Sequence, residues 1–281
     1  MAPQGPIWAV PTRSRYQSLP QHTLAALRAS GVPAKDIHVW VDDDEADLYA
    51  RHLPVGSYGA LKVGPVGSNL RDKRNHIVRQ YPPGTQLIQC DDDVQAYWVA
   101  RTRKRPLFPL VDLPAVARWA YTTCATTGIG LWGLYPIDNP FFMRRNATTD
   151  LRYIAGPTWG ITVTGDTTEL VTLDDKEDFE RTVRYYLRDG GVLRLNWASY
   201  RTNYYGANGG MQTYRTPTTI DEGAARLAAL YPDLVTLKRP PRGRQTWEVK
   251  LKGPFTMLPP LPAPDTDGTM PPKEDTAHAQ A

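Results

Sequence analysis

Three consecutive aspartates, Asp91, Asp92 and Asp93, follow a short apolar run over residues 86–90. Side chains alternate between the two faces of an extended chain, so we expect Asp91 and Asp93 to point one way and Asp92 the other. Two carboxylates on one side suit a hard divalent cation, which leaves its remaining positions to water and phosphate. The alternative is a set of solvated acids that cap the next helix. The pattern therefore predicts either a metal-bound diphosphate or a helix cap.

Strands and helices alternate in the first half of the chain and would position these acids. Apolar runs predict strands at residues 7–10, 37–41 and 86–90, and periodicity predicts helices over 18–31 and 70–81. This alternation indicates an α/β fold with a mixed, mainly parallel sheet flanked by helices. Ligands of such sheets bind beyond the carboxyl ends of the strands. Both acidic runs, at 42–44 and 91–93, follow predicted strands.

The second half of the chain is less regular. Helices are predicted over residues 113–123, 176–188 and 224–230, and strands at 130–135, 153–154, 161–164 and 246–251. Glu177 and Asp178 lie in the first turn of the helix at 176–188, and Asp174 with Glu177 matches a capping-box-like pair. From about residue 259 the chain is rich in Pro, Thr and Asp, which predicts a disordered tail over 259–281.

Composition limits the class of protein. A chain of 281 residues with 41% hydrophobic content forms one large domain or two small ones with a proper core. The net charge is only +4, but basic residues cluster at 101–105 and 238–244, which suits either polyanion binding or solvated loops. Cys90 and Cys124 lack the spacing of a metal or redox site, and a buried free thiol at Cys90 favours a reducing compartment.

The chain shows neither a signal-peptide pattern nor an apolar run long enough for a membrane span. We therefore expect a cytoplasmic protein with no membrane contact and no obligate protein partner.

The order of these motifs resembles the nucleotide-sugar half of a GT-A-fold glycosyltransferase. By this resemblance, Asp91 and Asp93 match the D-x-D motif that holds Mn²⁺ or Mg²⁺ against the donor diphosphate. The residues that match the donor site of that family are Pro11, Thr12, Arg13, Asp42, Asp43, Asn69, Arg74, Asn75, Asp91 and Asp92. Many GT-A enzymes add a late histidine to the metal; here no matching histidine precedes the tail, so diphosphate and water, or a late carboxylate or backbone oxygen, would complete the shell.

Candidate catalytic groups follow from the same resemblance. An acidic pair at a helix start often supplies the catalytic base of inverting GT-A enzymes, which implies Asp178, with Glu177 beside it; the alternative is a structural role at the helix end. A retaining enzyme requires no such base. Arg13 and Arg74 suit the diphosphate because a guanidinium binds phosphate bidentately; the alternative for each is a surface ion pair.

More narrowly, the chain resembles the phage-encoded TET/JBP-associated glycosyltransferases, through residues 81–85, the triple aspartate, residues 175–179 and the late pair Gly209 and Gly210. Members of that group are thought to add sugars to 5-hydroxymethylcytosine in phage DNA. The resemblance implies one catalytic domain over residues 1–258, with a donor half at about 5–110 and an acceptor half at about 111–258. It also implies a UDP-sugar donor, a DNA acceptor and the cytoplasm of a host cell.

Aromatic side chains interleaved with arginines are candidates for holding such an acceptor, because a flipped base is held by stacking and its strand by phosphate contacts. The candidate residues are Trp98, Arg101, Arg103, Arg194, Trp197, Arg201, Tyr204, Tyr205, Gly209 and Gly210. Aromatic clusters more often form part of the core, which is the alternative for these residues. Three functions stay open: a DNA glycosyltransferase, a glycosyltransferase for a non-DNA acceptor, and a non-catalytic nucleic-acid-binding module. Paired aspartates also serve metal nucleases and nucleotidyltransferases.

Overall fold

A computed structural model describes residues 5–65, 69–101, 106–202, 215–240, 246–253 and 261–262. The strands are β1 Ile7–Pro11, β2 Ile37–Asp42, β3 Ala60–Gly64, β4 Gln86–Cys90, β5 Val94–Val99, β6 Phe108–Pro109, β7 Leu131–Tyr135, β8 Asn146–Thr148, β9 Thr158–Thr162, β10 Leu193–Thr202, β11 Val235–Lys238, β12 Glu248–Leu251 and β13 Leu261–Pro262. The α-helices are α1 Thr23–Ala29, α2 Ala46–His52, α3 Leu70–Arg79, α4 Leu113–Thr127, α5 Glu177–Asp189 and α6 Pro217–Leu230.

The central sheet has the order β13-β8-β10-β7-β9-β4-β1-β2-β3, and β5 and β6 extend from β10. Strands β1 to β4 are mutually parallel. Because β9 is antiparallel to both β4 and β7, and β10 is parallel to β7, six strands of the described chain point the same way. The predicted mixed, mainly parallel sheet is confirmed. The carboxyl ends of β1, β2, β4, β7 and β10 therefore lie at one edge, here called the carboxyl edge.

Helices cover both faces of the sheet because the strands are apolar on both sides. Trp8 and Val10 of β1 pack with residues of α1 and α4, whereas the intervening Ala9 packs with residues of α3. A smaller cluster joins Val183 of α5 to Leu227 of α6 and Val235 of β11. Cys90 and Cys124 are buried free thiols, as predicted for Cys90. Among the described helices, none has both the length and the apolar character needed to cross a bilayer.

Local signals explain where several helices begin and end. The Asn69 side chain accepts a hydrogen bond from the Asp72 N–H at the start of α3, and Asp112 does the same for α4. Gly128 and Gly190 end α4 and α5 with φ of +73° and +75°, a conformation that costs glycine little. The helix expected from residue 18 begins only at Thr23, since the residues before it form turns.

Two local predictions are wrong. Residues 153–154 are not a strand, because the Ile154 N–H bonds to the Thr182 hydroxyl of α5 instead of a neighbouring strand. The predicted Asp174–Glu177 capping pair does not form, because Lys176 occupies the N-cap with φ of +67° and no side-chain cap. Leu261–Pro262, in the predicted disordered tail, pair with β8; the other residues of that tail lie outside the described ones.

Candidate active site

The three aspartates lie at the carboxyl edge directly after β4. The chain turns after Cys90, and Arg15 Nη1 lies 2.5 Å from Asp92 Oδ1 and 3.4 Å from Asp93 Oδ2. Asp91 instead pairs with Arg74, whose Nη2 donates to Asp91 Oδ1 at 2.6 Å. Asp92 and Asp93 thus share a cation. The expected alternation, with Asp92 facing away from the other two, does not hold because the strand ends before these residues.

The electrostatics of this cluster favour a bound cation. Burial, followed by the charges of Asp91 and Asp92, raises the pKa of Asp93 to about 7. Burial likewise raises the pKa of Asp92 above its usual range. No group of three or more His, Cys, Asp or Glu residues in the described part of the chain could hold a metal. Carboxylate oxygens are the ligands that a hard divalent ion prefers, so an ion on Asp91 and Asp93, completed by diphosphate oxygens and water, stays the prediction for this site.

Asp42, predicted to contact the donor, is fully buried and occupied by two cations. Arg13 Nη1 donates to its Oδ2, and Lys73 Nζ pairs with its Oδ1. Burial lowers the pKa of Lys73 to about 8. Asp42 thus holds Arg13 and Lys73 in place at the carboxyl edge. Asp43, which was also predicted to contact the donor, is exposed.

The end of β1 is locked by hydrogen bonds from its neighbours. The Thr12 hydroxyl bonds to the Tyr49 hydroxyl at 2.8 Å, and its carbonyl accepts from Lys73 Nζ at 2.8 Å. Pro11 beside it is buried. Sequence reasoning did not name Arg15, Lys73 or Tyr49, which belong to none of the motifs and reach the site only through folding.

Helix α3 brings its predicted residues to the site in different roles. Asn69 donates to Asp174 Oδ1 at 2.6 Å, besides capping the helix. The Asn75 side chain is used entirely within the fold, since it donates to the Val171 carbonyl and accepts from the Val171 N–H. Arg74 is the one that faces the aspartates. These contacts fasten the segment before α5 to α3.

Helix α5 places Glu177 and Asp178 beside Arg74. Arg74 Nη1 lies 3.6 Å from Glu177 Oε1, so one guanidinium contacts both Asp91 and Glu177. Burial and the charge of Asp178 raise the pKa of Glu177 to about 7. Asp178 accepts hydrogen bonds from the Tyr153 hydroxyl and the Phe179 N–H. Arg74 therefore joins Asp91, a candidate metal ligand, to Glu177, the residue before the candidate base Asp178.

The floor of this region is the indole of Trp159 on β9. The Arg181 guanidinium lies 3.8 Å above its ring centroid, and that of Arg74 lies 5.8 Å from it. Burial, reinforced by Arg74, lowers the pKa of Arg181 to about 10. Sequence reasoning missed Arg181, although its position one helical turn after Glu177 is a visible signal.

The predicted acceptor residues are divided between surface and core. Arg201 lies over the half-buried Trp98 at 5.3 Å, and exposed Arg101 lies over Phe108 at 4.3 Å. Arg194 lies over Tyr135 and donates to Asn196. Trp197 is only 2% exposed and packs in the core, which is the alternative to stacking on a base. Arg103, Tyr204, Tyr205, Gly209 and Gly210 lie outside the described residues.

Comparison with known proteins identifies the fold. No protein-family model matches the chain, and no curated protein matches it. The structure resembles residues 1–349 of Staphylococcus aureus TarS bound to UDP-GlcNAc, with a TM-score of 0.53, 14% identity, and coverage of 82% of this chain and 67% of that one. It spans 40% of the longer TarS structure.

Two other structures align less closely. They are the mannosyltransferase PcManGT from Pyrobaculum calidifontis with GDP-Man and Mn²⁺, at 13% identity, and glucosyl-3-phosphoglycerate synthase from Mycobacterium tuberculosis with Mn²⁺, UDP and phosphoglyceric acid, at 10% identity. Their coverages of this chain are 83% and 89%, and of their own chains 76% and 87%, both at a TM-score of 0.47. The resemblance to TarS shows that the fold of this chain is the GT-A fold.

Proposed function

We propose that the protein is a metal-dependent glycosyltransferase that moves a sugar from a nucleotide sugar to an acceptor hydroxyl. One observation carries the proposal. On a GT-A fold, Asp91 after β4 and Glu177 at the start of α5 both pair with a single buried guanidinium, that of Arg74. A donor diphosphate and an acceptor hydroxyl need such a pair of sites side by side.

The residues divide the chemistry between leaving group and nucleophile. Asp91 and Asp93 would hold a divalent ion, Mn²⁺ or Mg²⁺, which would neutralise the charge that develops on the diphosphate. Asp178 takes the proton of the acceptor hydroxyl as that oxygen bonds to the anomeric carbon. The bond from this carbon to the diphosphate breaks, and the nucleoside diphosphate leaves with the electron pair.

Several residues position these groups without reacting. Tyr153 and the Phe179 N–H orient Asp178, and its carboxylate keeps lone pairs for the acceptor proton. Arg15 holds Asp92 and Asp93, while Lys73 and Arg13 hold Asp42 beneath the site. The rigid pairing keeps the carboxylates in place before the donor arrives, which favours transition-state stabilisation without reorganisation.

The donor is proposed to be a UDP-sugar and the acceptor 5-hydroxymethylcytosine in phage DNA. The UDP-GlcNAc bound to TarS supports the donor. The resemblance to phage glycosyltransferases and the arginines over aromatic rings at Trp98 and Phe108 support the acceptor. A non-DNA acceptor, or a binding module without catalysis, is the alternative that the assay below separates.

A transfer assay tests this function. Purified protein, Mn²⁺ or Mg²⁺, a panel of UDP- and GDP-sugars and 5-hydroxymethylcytosine DNA are incubated, and the digested nucleosides are analysed by mass spectrometry. We expect a hexose- or N-acetylhexosamine-sized mass gain that is lost with EDTA. Unmodified cytosine DNA is the matched control and gains no mass.

The other outcomes separate the alternatives. Metal-dependent hydrolysis of one nucleotide sugar without any gain on DNA would retain the transferase and replace the acceptor. Neither transfer nor hydrolysis, with intact DNA binding, would replace the enzyme with a binding module. Strand cleavage or nucleotide addition would instead identify a nuclease or nucleotidyltransferase.

A further inference from the structure

The loop between β7 and β8, residues 136–145, exposes three large apolar side chains. Ile137, Phe141 and Phe142 are 50%, 58% and 50% exposed. The two phenylalanine rings lie edge to face with centroids 5.1 Å apart. Folding alone gives no reason to concentrate such side chains at the surface within six residues. Clusters of this kind mark binding surfaces.

Strand pairing places this loop at the carboxyl edge. It starts at the carboxyl end of β7, where Tyr135 pairs with Ser199 of β10. The last residue of β10, Thr202, pairs in turn with Val94, which directly follows Asp93. The loop and the aspartate cluster therefore leave the same edge of the sheet, where β9 lies between β7 and β4 in the strand order.

Three arginines belong to this loop or contact it. Arg144 and Arg145 are exposed at the end of the loop, and Arg144 Nη1 donates to the Phe141 and Met143 carbonyls. Arg201 is half exposed, donates to Asp138 Oδ2 at 2.7 Å and lies over the Trp98 ring. Asp138 is the only acid within residues 136–145, so the surface carries an excess of positive charge.

We propose that the loop of residues 136–145 binds unpaired nucleotides of a nucleic-acid strand, with Phe141 and Phe142 stacking on bases and Arg145 and Arg201 contacting phosphates. Exposed rings stack on any base, and flanking cations attract the backbone. The positive charge favours this polyanion over an apolar protein partner. The inference rests on the proposed function in one respect: it takes the DNA acceptor to be the strand that is bound.

Fluorescence anisotropy with a labelled single-stranded oligonucleotide tests the stacking. The double substitution Phe141→Ala/Phe142→Ala is expected to weaken binding about tenfold or more. The matched control is Leu187→Ala/Leu230→Ala, since these apolar side chains are 59% and 49% exposed on α5 and α6, away from the loop. The control is expected to bind like the wild type. Thermal unfolding of both variants shows that they are folded.

The dependence of binding on salt tests the phosphate contact. Arg145→Ala should reduce the slope of log affinity against log salt by about 0.7, the value for one phosphate on a single strand. Arg226→Ala, an exposed arginine on α6, is the matched control and should leave the slope unchanged. An unchanged slope in Arg145→Ala would overturn this contact.

Other outcomes would overturn the proposal as a whole. Wild-type affinity in the double phenylalanine variant would remove the loop from nucleic-acid binding. Self-association of the wild type, lost in that variant while oligonucleotide binding persists, would assign the surface to a second copy of the chain. Wild-type protein that hydrolyses a nucleotide sugar but binds no oligonucleotide would overturn this inference and leave the proposed transferase standing. Oligonucleotide binding through Phe141 and Phe142, without hydrolysis or transfer, would support this inference and overturn the proposed transferase.

Discussion

The donor side and the loop of residues 136–145 share one edge of the sheet but are built in opposite ways. On the donor side, charged groups are buried and paired, as with Asp42 between Arg13 and Lys73 or Asp92 against Arg15. In the loop, Phe141 is 58% exposed, Phe142 is 50% exposed, and Arg145 is exposed as well. One region is fixed before any ligand arrives, and the other offers adaptable contacts.

This difference matches the two kinds of ligand proposed. A diphosphate with a metal has one geometry, and fixed charges stabilise it without reorganisation. A nucleic-acid strand varies in sequence and conformation, and stacking with phosphate contacts tolerates that variation. Substitutions on the donor side should therefore affect chemistry and stability strongly, whereas substitutions in the loop should change affinity by modest factors.

The largest effect is expected for Asp93→Asn. Loss of one carboxylate weakens the cation that offsets leaving-group charge, and we expect kcat for sugar transfer to fall by about 10⁴-fold. Steady-state transfer at saturating Mn²⁺ measures this. Asp47→Asn, a change of the same type at an exposed position of α2, should cost far less. Equal losses in the two variants would remove the distinction between a metal ligand and an exposed acid.

Asp178→Asn should lower kcat by about 10³-fold, because the acceptor hydroxyl loses its base. If Asp178 is this base, the wild-type enzyme inverts the anomeric configuration of the donor sugar, and NMR of the product measures that configuration. Asp174→Asn, an acid just before α5, is the control. A product with retained configuration would contradict this role for Asp178 and leave it a helix-start residue.

Lys73→Met should destabilise the fold by about 3 kcal/mol, since it leaves Asp42 buried with one cation fewer. Chemical denaturation measures this. The double variant Lys73→Met/Asp42→Asn should recover part of the loss, because no uncompensated carboxylate remains. If both variants unfold like the wild type, the buried charges of the donor side carry no structural weight, and the contrast with the loop fails.

The smallest effect is a pH dependence from Glu177. Its pKa is raised from 4.5 to about 7, so the folded protein holds this proton over a range where the unfolded chain has lost it. The resulting stabilisation is fully present below pH 4.5 and is lost as pH rises through about 7. Melting temperatures across this window should fall more steeply for the wild type than for Glu177→Gln. Parallel curves would show that the proton is not held.

The donor side was largely predictable from sequence, and the reason is local. Its aspartates and arginines directly follow strands or lie on one helix, so strand and helix patterns are enough to bring Asp42, Arg74 and Asp91 to one edge. What sequence could not supply are partners 77 residues apart, such as Arg15 and Asp92. The end of β4 at Cys90 was predicted correctly, but the expected alternation of the aspartates assumed that the chain stays extended beyond the strand, and it turns there instead.

The exposure of the acceptor-side residues was poorly predictable, because an aromatic residue type alone does not show whether its side chain is buried in the core or exposed. Trp197 was expected to stack on a base, yet it packs in the core at 2% exposure. Phe141 and Phe142, which no pattern indicated, lie exposed in an irregular loop. The strand expected at residues 153–154 failed for a related reason, since a side chain of α5 takes the backbone bond that a strand would use.

The two hydrogen bonds between the Asn75 side chain and the Val171 backbone have a consequence for amide hydrogen exchange. The amide side chain donates to the Val171 carbonyl at 2.8 Å and accepts from its N–H at 2.9 Å, the pattern of a paired strand made by one residue. Val171 lies outside every helix and strand. Its amide hydrogen should nevertheless exchange with deuterium as slowly as those of the sheet. An irregular stretch ahead of α5 would then open only as rarely as the core does.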